Sequence, residues 1–230
     1  MSLDHAIDAI HLRPTAELAE RVLLPGDPHR ALAVAQALLE GPRMLNHTRG
    51  LWGYTGRAAD GELLSVQSTG MGGPSAAIVC EELIGLGART LVRIGTCGAL
   101  VEGPALGDLL AAETVLPADG ASLALGAGDS QAPDSGLTEA LVRAGAQPAT
   151  VVSSDLFYDD GAEPPAGADV VEMEAAAVLR VAERRGVRAA CLLGVSDVPS
   201  PEGSRRSERD ALEQLGVRLG EVAYAALSGA

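Results

Sequence analysis

The chain alternates short, wholly apolar runs with segments in which apolar residues recur every three to four positions. Wholly apolar runs predict strands buried on both faces, and the second spacing predicts amphipathic helices. The predicted strands are Val22–Pro25, Leu63–Thr69, Thr90–Gly95, Leu109–Leu116, Thr150–Ser153, Val170–Glu172 and Ala189–Ser196. The predicted helices are Arg30–Glu40, Pro74–Leu86, Leu137–Ala144, Glu174–Arg185 and Glu208–Leu227. Ala118–Ser135 and Asp159–Asp169 show neither pattern and are predicted as loops.

This order of elements favours an α/β protein, with a central mixed sheet flanked by helices. The 230 residues, 47% of them hydrophobic, suffice for one substantial core. We therefore predict a single domain over residues 1–230.

Glycines and prolines gather at the ends of the predicted strands, where α/β sheets bind ligands. In LPGDPHR (residues 24–30), Gly26 lets the backbone approach a ligand, and the free amides of the following helix attract an anion beside Arg30. An ordinary strand-turn-helix with a surface arginine is the alternative. A second glycine turn, STGMGGPSAA (residues 68–77), fits neither a dinucleotide-binding fingerprint nor a P-loop.

One arginine interrupts an apolar strand, in LVRIGTCGAL (residues 91–100). A guanidinium cannot shed its charge, so its burial requires an anion. Arg93, the Thr96 hydroxyl and nearby amides could form an oxyanion pocket, and inorganic phosphate is the natural occupant. The alternative is an ion pair with a buried acid such as Glu81 or Glu82. As a phosphate ligand, Arg93 should be replaceable by alanine without loss of the fold.

Composition removes several classes of function. Seventeen basic and 31 acidic residues give a net charge of −14, which argues against binding to nucleic acid or anionic membranes. The chain has no lysine, which excludes a P-loop lysine and a Schiff base. The three cysteines lack CxxC spacing and the four histidines form no HExxH pair, so no metal site is expected. No apolar run approaches the length of about 18 residues that spans a bilayer, and no export signal is seen, so a cytoplasmic protein is expected.

Seven motifs taken in order are more specific than any one of them: LPGDPHR, NHTRG, GMGGPS, RIGTCGAL, SSDLFY, VEMEAAA and VSD. Together they resemble the nucleoside phosphorylase family of bacterial purine nucleoside phosphorylases and uridine phosphorylases, from about His11 to the final helix. The resemblance implies a homohexamer built as a trimer of dimers. It also implies reversible phosphorolysis of a ribonucleoside by a pentosyltransferase, with no cofactor because inorganic phosphate is a co-substrate.

The resemblance implies a phosphate site shared between two chains. Gly26, Arg30, Arg93 and Thr96 match the family's phosphate ligands. Arg49, in NHTRG, matches an arginine that enters the neighbouring subunit's phosphate pocket.

Nucleoside contacts are implied in the same way. His11 matches a histidine lent to the neighbour's ribose 5′-hydroxyl, and Met173 and Glu174 match ribose contacts, the glutamate binding the 2′ and 3′ hydroxyls. Phe157, the only phenylalanine, matches the residue that packs on the base. If the resemblance is set aside, Glu174 is explained as an acid in the first turn of a helix, where the dipole favours it, and Phe157 as a residue packed in the core.

Catalysis requires an acid for the departing base. Asp197 in GVSDVPS is the candidate, with Arg209 as its partner, and both match purine-cleaving members. The alternative is that Asp197 caps a turn. The segment between Phe157 and Met173 is shorter than in the family and lacks the uracil-reading glutamine and arginine, which favours purines, although STGMGGPS and ADGAS are closer to the uridine branch.

A purine nucleoside phosphorylase is thus the leading hypothesis, and a uridine phosphorylase is second. A hydrolytic nucleosidase would leave Arg30, Arg49 and Arg93 without an anion. A non-catalytic nucleoside-binding protein would have no use for Asp197 or the complete phosphate set.

Overall fold

The computed structural model describes residues 9–158, 165–200 and 203–229. The strands are β1 (Arg21–Pro25), β2 (Glu40–Asn46), β3 (Gly53–Arg57), β4 (Leu63–Gln67), β5 (Thr90–Ala99), β6 (Leu109–Ala118), β7 (Gln147–Ser154), β8 (Val170–Glu172), β9 (Arg188–Ser200) and β10 (Gly203–Arg206). The helices are α1 (Pro28–Leu38), α2 (Gly73–Gly85), α3 (Gly120–Ala124), α4 (Ser135–Arg143), α5 (Ala175–Arg185) and α6 (Arg209–Ser228), with a 3₁₀ turn at Thr48–Gly50.

The strands form one mixed sheet that partly closes on itself. Strand β5 pairs with β9 in parallel, β9 with β6 antiparallel, β6 with β7 and β7 with β8 in parallel, and β8 returns antiparallel to β5. From this five-stranded ring the sheet extends through β1, β4, β3 and β2. The predicted α/β domain with a mixed sheet is confirmed.

Helices cover the sheet over two apolar cores. In one core α2 packs on α5, and in the other α1 packs on α6, with α4 beside α6. Helix α1 begins where the sequence predicts a turn: Pro28 is its first residue, and the Asp27 carboxylate accepts a 2.7 Å hydrogen bond from the Arg30 amide. This cap fixes the first turn of α1 directly after β1.

Four elements were not predicted: β2, β3, β10 and α3, the last inside the predicted loop Ala118–Ser135. Strands β2 and β3 contain glycine, and β2 also contains proline and charged residues, so neither shows an apolar run. Both are held by backbone pairing in the outer part of the sheet. The exposed β10 is similarly held by pairing to β9. In the predicted loop Asp159–Asp169, residues 159–164 lie outside the described residues.

No helix within the described ranges is both long and apolar enough to cross a membrane. Over the same residues, no group of three or more histidine, cysteine, aspartate or glutamate side chains is arranged to hold a metal ion.

Candidate active site

A cavity of about 540 Å³ opens at the carboxyl ends of β1, β4, β7 and β8, and is also lined by β5 and β9. Most of the residues predicted from the sequence meet there. Those lining the cavity are Gly26, Arg30, Arg93, Thr96, Phe157, Met173, Glu174 and Asp197. His11, Arg49 and Arg209 lie outside it.

Arg93 is the centre of a buried ionic cluster, and its side chain is 4% exposed. Its Nε donates to Glu172 Oε2 over 2.7 Å, and its Nη2 pairs with Glu174 Oε2. The alternative partners proposed from the sequence are wrong, because Glu81 pairs with Arg185 and Glu82 with His11. An ion pair between Arg93 and buried acids is present, but the acids are Glu172, at the end of β8, and Glu174, two residues later.

Glu172 was missed by the sequence analysis. Besides Arg93, its carboxylate accepts hydrogen bonds from the Ser153 hydroxyl and from the amides of Glu174 and Ala175. It therefore caps the first turn of α5 while it fixes the Arg93 guanidinium. The only signal in the sequence was the spacing of two acids, Glu172 and Glu174, directly before a helix.

One nitrogen of this buried arginine is left over. Arg93 Nη1 has no hydrogen-bond partner among the described residues. Arg30 lies close enough to interact: burial lowers its pKa, Asp27 opposes this, and the Arg93 cation lowers it further. Two mutually repelling guanidiniums, one with an unsatisfied buried donor, form a site that suits an anion.

Glycines allow this geometry at two points. A Cβ atom on Gly95 would lie 2.6 Å from Arg93 Nη2, so only glycine lets the guanidinium fold back along its own strand. A Cβ on Gly26 would lie 3.2 Å from the Gly70 carbonyl oxygen, where the turns after β1 and β4 meet. The backbone at this end can therefore approach a ligand closely.

Glu174 faces the cavity beside the arginines. It lies directly before α5, at the helix end where the dipole favours a carboxylate, and its side chain makes no capping hydrogen bond. Its Oε1 accepts from the Gly72 amide over 2.5 Å. Burial raises the pKa of Glu174, and the Arg93 cation opposes that rise without cancelling it. As a buried acceptor, its carboxylate is suited to hydroxyl groups.

Asp197 lies further along the same two strands than Arg93, because β9 pairs Asp197 with Gly98 of β5, five residues beyond Arg93. Its Oδ1 lies 2.5 Å from Arg206 Nε, and its Oδ2 accepts from the Ser196 hydroxyl over 2.6 Å. Asp197 belongs to β9 and caps no turn among the described residues, so the alternative drawn from the sequence is wrong.

The predicted partner of Asp197, Arg209, is corrected by the structure. Arg209 begins α6 and pairs with Glu213 one turn later, over 3.2 Å. Its side chain is 89% exposed. Arg206 takes its place because β10 folds back on β9 and sets Arg206 directly opposite Asp197.

Aromatic and apolar side chains also line the cavity. Phe157 is 55% exposed and so is not packed in the core, which rules out the alternative explanation. The Arg206 guanidinium lies 5.1 Å from the centre of its ring. Met71, also exposed, lines the cavity between Gly70, whose carbonyl lies beside Gly26, and Gly72, whose amide binds Glu174. An open aromatic face beside hydrogen-bonding groups is suited to a flat heterocycle.

His11 and Arg49 are held outside the cavity of their own chain. His11 Nδ1 lies 2.6 Å from Glu82 Oε1, and Glu82 also accepts from the amides of residues 10–12. Arg49 has a φ of 60°, the only positive value among non-glycine residues in the described ranges. Such backbone conformations are uncommon and concentrate at functional positions.

Comparison with known proteins identifies the family. Residues 20–228 match the model of the phosphorylase superfamily. The chain is 39% identical over 198 residues to the DeoD-type purine nucleoside phosphorylase of Geobacillus kaustophilus, covering 80% of this chain and 83% of the relative. It is 38% identical over 204 residues to the DeoD-type enzyme of Clostridium beijerinckii, covering 82% and 86%.

A solved structure supports the same fold. The crystal structure of purine nucleoside phosphorylase from Toxoplasma gondii, in complex with immucillin-H, matches with a TM-score of 0.82 over 96% of this chain and 98% of that one, at 24% identity. The chain belongs to the phosphorylase superfamily. The resemblance inferred from the seven motifs is confirmed.

Proposed function

We propose that the protein catalyses the reversible phosphorolysis of purine ribonucleosides to free base and ribose 1-phosphate, and is therefore a pentosyltransferase. One observation carries the proposal: within the described part of the chain, Arg93 Nη1 has no hydrogen-bond partner beside Arg30, in a cavity that Asp197 also lines. The similarity to purine nucleoside phosphorylases over most of the chain supports it.

At the phosphate end, the arginines hold the nucleophile. Cleavage of a glycosidic bond develops positive charge on the sugar. Phosphate bound by Arg30 and Arg93, with the Thr96 hydroxyl, is both attacking group and counter-charge. These residues act by positioning and electrostatics, and no base is needed to activate phosphate.

Beside the arginines, Glu174 binds the ribose. Its carboxylate accepts hydrogen bonds from the 2′ and 3′ hydroxyls, and Met173 lies beside it on the cavity wall. Because Glu174 is also paired to Arg93, sugar and phosphate are aligned by one rigid group.

At the base end, Asp197 gives a proton to N7 of the purine. The bond between C1′ and N9 breaks, its electron pair moves to the base, and a phosphate oxygen forms the new bond to C1′. With HPO₄²⁻ as nucleophile the reaction balances, because the proton that phosphate loses replaces the one that Asp197 gives away. Phe157 stacks on the base during this step.

A single assay tests the function against its alternatives. Release of free base from inosine, adenosine and uridine is measured with and without phosphate. We expect phosphate-dependent cleavage of a purine nucleoside faster than of uridine. Faster uridine cleavage would indicate a uridine phosphorylase, equal cleavage without phosphate a hydrolase, and binding without cleavage a nucleoside-binding protein.

We further infer that the enzyme is a cytoplasmic homohexamer, a trimer of dimers whose sites are shared between neighbours. The position of His11 and Arg49 outside their own cavity supports sharing. Mixed Arg49→Ala and Arg30→Ala chains should then regain activity, because a hybrid dimer contains one site free of both changes. No recovery after verified subunit exchange would contradict the shared site.

A further inference from the structure

Arg206 is joined to Asp197 by the register of the β9–β10 hairpin. Arg206 lies opposite Asp197 and Arg205 lies opposite Val198. Because successive side chains of a strand face opposite sides, one arginine points into the cavity and its neighbour does not. Accordingly Arg206 lines the cavity and Arg205 does not.

The Arg206 guanidinium makes two contacts that matter for the base. Its Nε binds Asp197 Oδ1 at 2.5 Å, and its Cζ lies 5.1 Å from the Phe157 ring centre. One planar group therefore links the proton donor to the aromatic residue that stacks on the base. The Arg206 side chain is 58% exposed, and an ion pair of this kind contributes little to folding stability. Its contribution is to the geometry of the cavity.

We propose that Arg206 is a positioning residue that holds Asp197 and Phe157 against the departing base, the role that the resemblance gave to Arg209. The inference rests on the proposed function. Because Arg206 occupies Oδ1, Oδ2 beside the Ser196 hydroxyl is the oxygen left to pass a proton to the base. When that proton moves to N7, the carboxylate left behind faces a permanent cation, which stabilises the products of the transfer.

Arg209 lacks each of these contacts. It is bound to Glu213 within α6 and does not line the cavity. Its position in the chain matches the family, but the hairpin brings a different guanidinium to Asp197.

Arg206→Ala is compared with Arg205→Ala on inosine and on 7-methylinosine, a nucleoside whose base is already cationic and needs no proton at N7. We expect Arg206→Ala to lower kcat for inosine by about 10- to 100-fold, because a misplaced donor costs that much. Its phosphate KM and thermal midpoint should stay near wild type, and 7-methylinosine cleavage should be largely spared. Arg205→Ala should resemble wild type on both nucleosides.

Arg206→Lys supplies a second readout. Lysine keeps the charge without the planar contact to Phe157, so it should recover part of the kcat for inosine. If the wild-type protein does not cleave 7-methylinosine, the comparison of Arg206→Lys with Arg206→Ala on inosine becomes the test. A kcat for inosine that is no higher in Arg206→Lys than in Arg206→Ala overturns the proposal.

Three results would overturn it directly: equal loss on both nucleosides, no loss in Arg206→Ala, or selective loss of inosine cleavage in Arg209→Ala instead. A wild-type protein that cleaves no purine nucleoside with phosphate would contradict the proposed function itself. That outcome is distinct from an active wild type in which Arg206 is dispensable.

Discussion

At the phosphate end of the cavity, Arg93, Glu172 and Glu174 are at most 5% exposed, whereas at the base end Phe157 is 55% and the Arg206 side chain 58% exposed. The buried cluster also caps α5 and joins β5 to β8, so its charges are part of the folded core. The base end is carried by the paired strands β9 and β10 and by the segment after β7, and its ion pair between Arg206 and Asp197 is partly open to solvent. Changes at the phosphate end should therefore alter stability and binding together, and changes at the base end should alter chemistry alone.

Arg93→Ala should give the largest effect. It leaves Glu172 and Glu174 buried without their counter-ion, which should reduce the free energy of unfolding by about 3–5 kcal/mol. Phosphate binding should be lost as well. This differs from the expectation from the sequence that the fold tolerates the change. Urea denaturation with and without phosphate measures both effects.

A matched variant separates the two roles of Arg93. In Arg93→Met with Glu172→Gln and Glu174→Gln, no buried charge is left unpaired, so much of the lost stability should return while phosphate binding does not. An Arg93→Ala protein with wild-type stability would show that the buried cluster is not part of the core.

Asp197→Asn tests the base end. Asparagine still makes hydrogen bonds but cannot transfer a proton, so kcat should fall by about 10²–10⁴-fold. The loss should be worst for adenosine, whose 6-amino base gains most from protonation at N7. Stability and nucleoside binding should change little, because Asp197 is not part of the buried cluster. Normal turnover in this variant would rule out Asp197 as the proton donor.

The two ends also differ in how far the sequence predicts them. Gly26 and Arg30 lie within five residues of each other on one strand-turn-helix, so local rules place them correctly. The presence of a charged residue, Arg93, in an otherwise apolar strand predicted that an anion is buried beside it. Its acid partner could not be found locally, because Glu172 is 79 residues away and reaches Arg93 only through the pairing of β8 with β5.

At the base end, motif order located Asp197 but gave it the wrong partner. The partner is decided by the register of β10, an exposed four-residue strand without apolar residues. Such a strand carries no periodic signal, because it has no apolar residues. Backbone pairing with β9 holds it in place. Motifs therefore locate side chains that follow buried strands better than side chains on exposed hairpins.

Gly216→Ala should show a moderate effect at the phosphate end. A Cβ at residue 216 of α6 would lie 3.0 Å from Arg30 Cγ and 3.3 Å from its Cδ and Nε. The Arg30 side chain must shift, so the phosphate KM should rise by roughly tenfold, within the range that overpacking costs. Steady-state kinetics at varied phosphate measures the change.

The control for this change is Gly128→Ala, where an added Cβ would meet no atom within 4 Å. Its phosphate KM should equal that of wild type. An unchanged phosphate KM in Gly216→Ala would mean that Arg30 is not held by its contact with α6.

The smallest expected effect is a pH dependence of stability from Glu174. Burial holds the pKa of Glu174 above its ordinary value of 4.5. The folded protein therefore binds more protons here than the unfolded chain, and the contribution of Glu174 to stability falls as the pH rises from about 4.5 through the folded pKa.

Glu174→Gln lacks this contribution. The free energy of unfolding, measured in urea without phosphate from about pH 4 to 8, should fall more with pH in wild type than in the variant. A wild-type-minus-variant difference that stays constant would show that the folded cluster does not raise the pKa of Glu174.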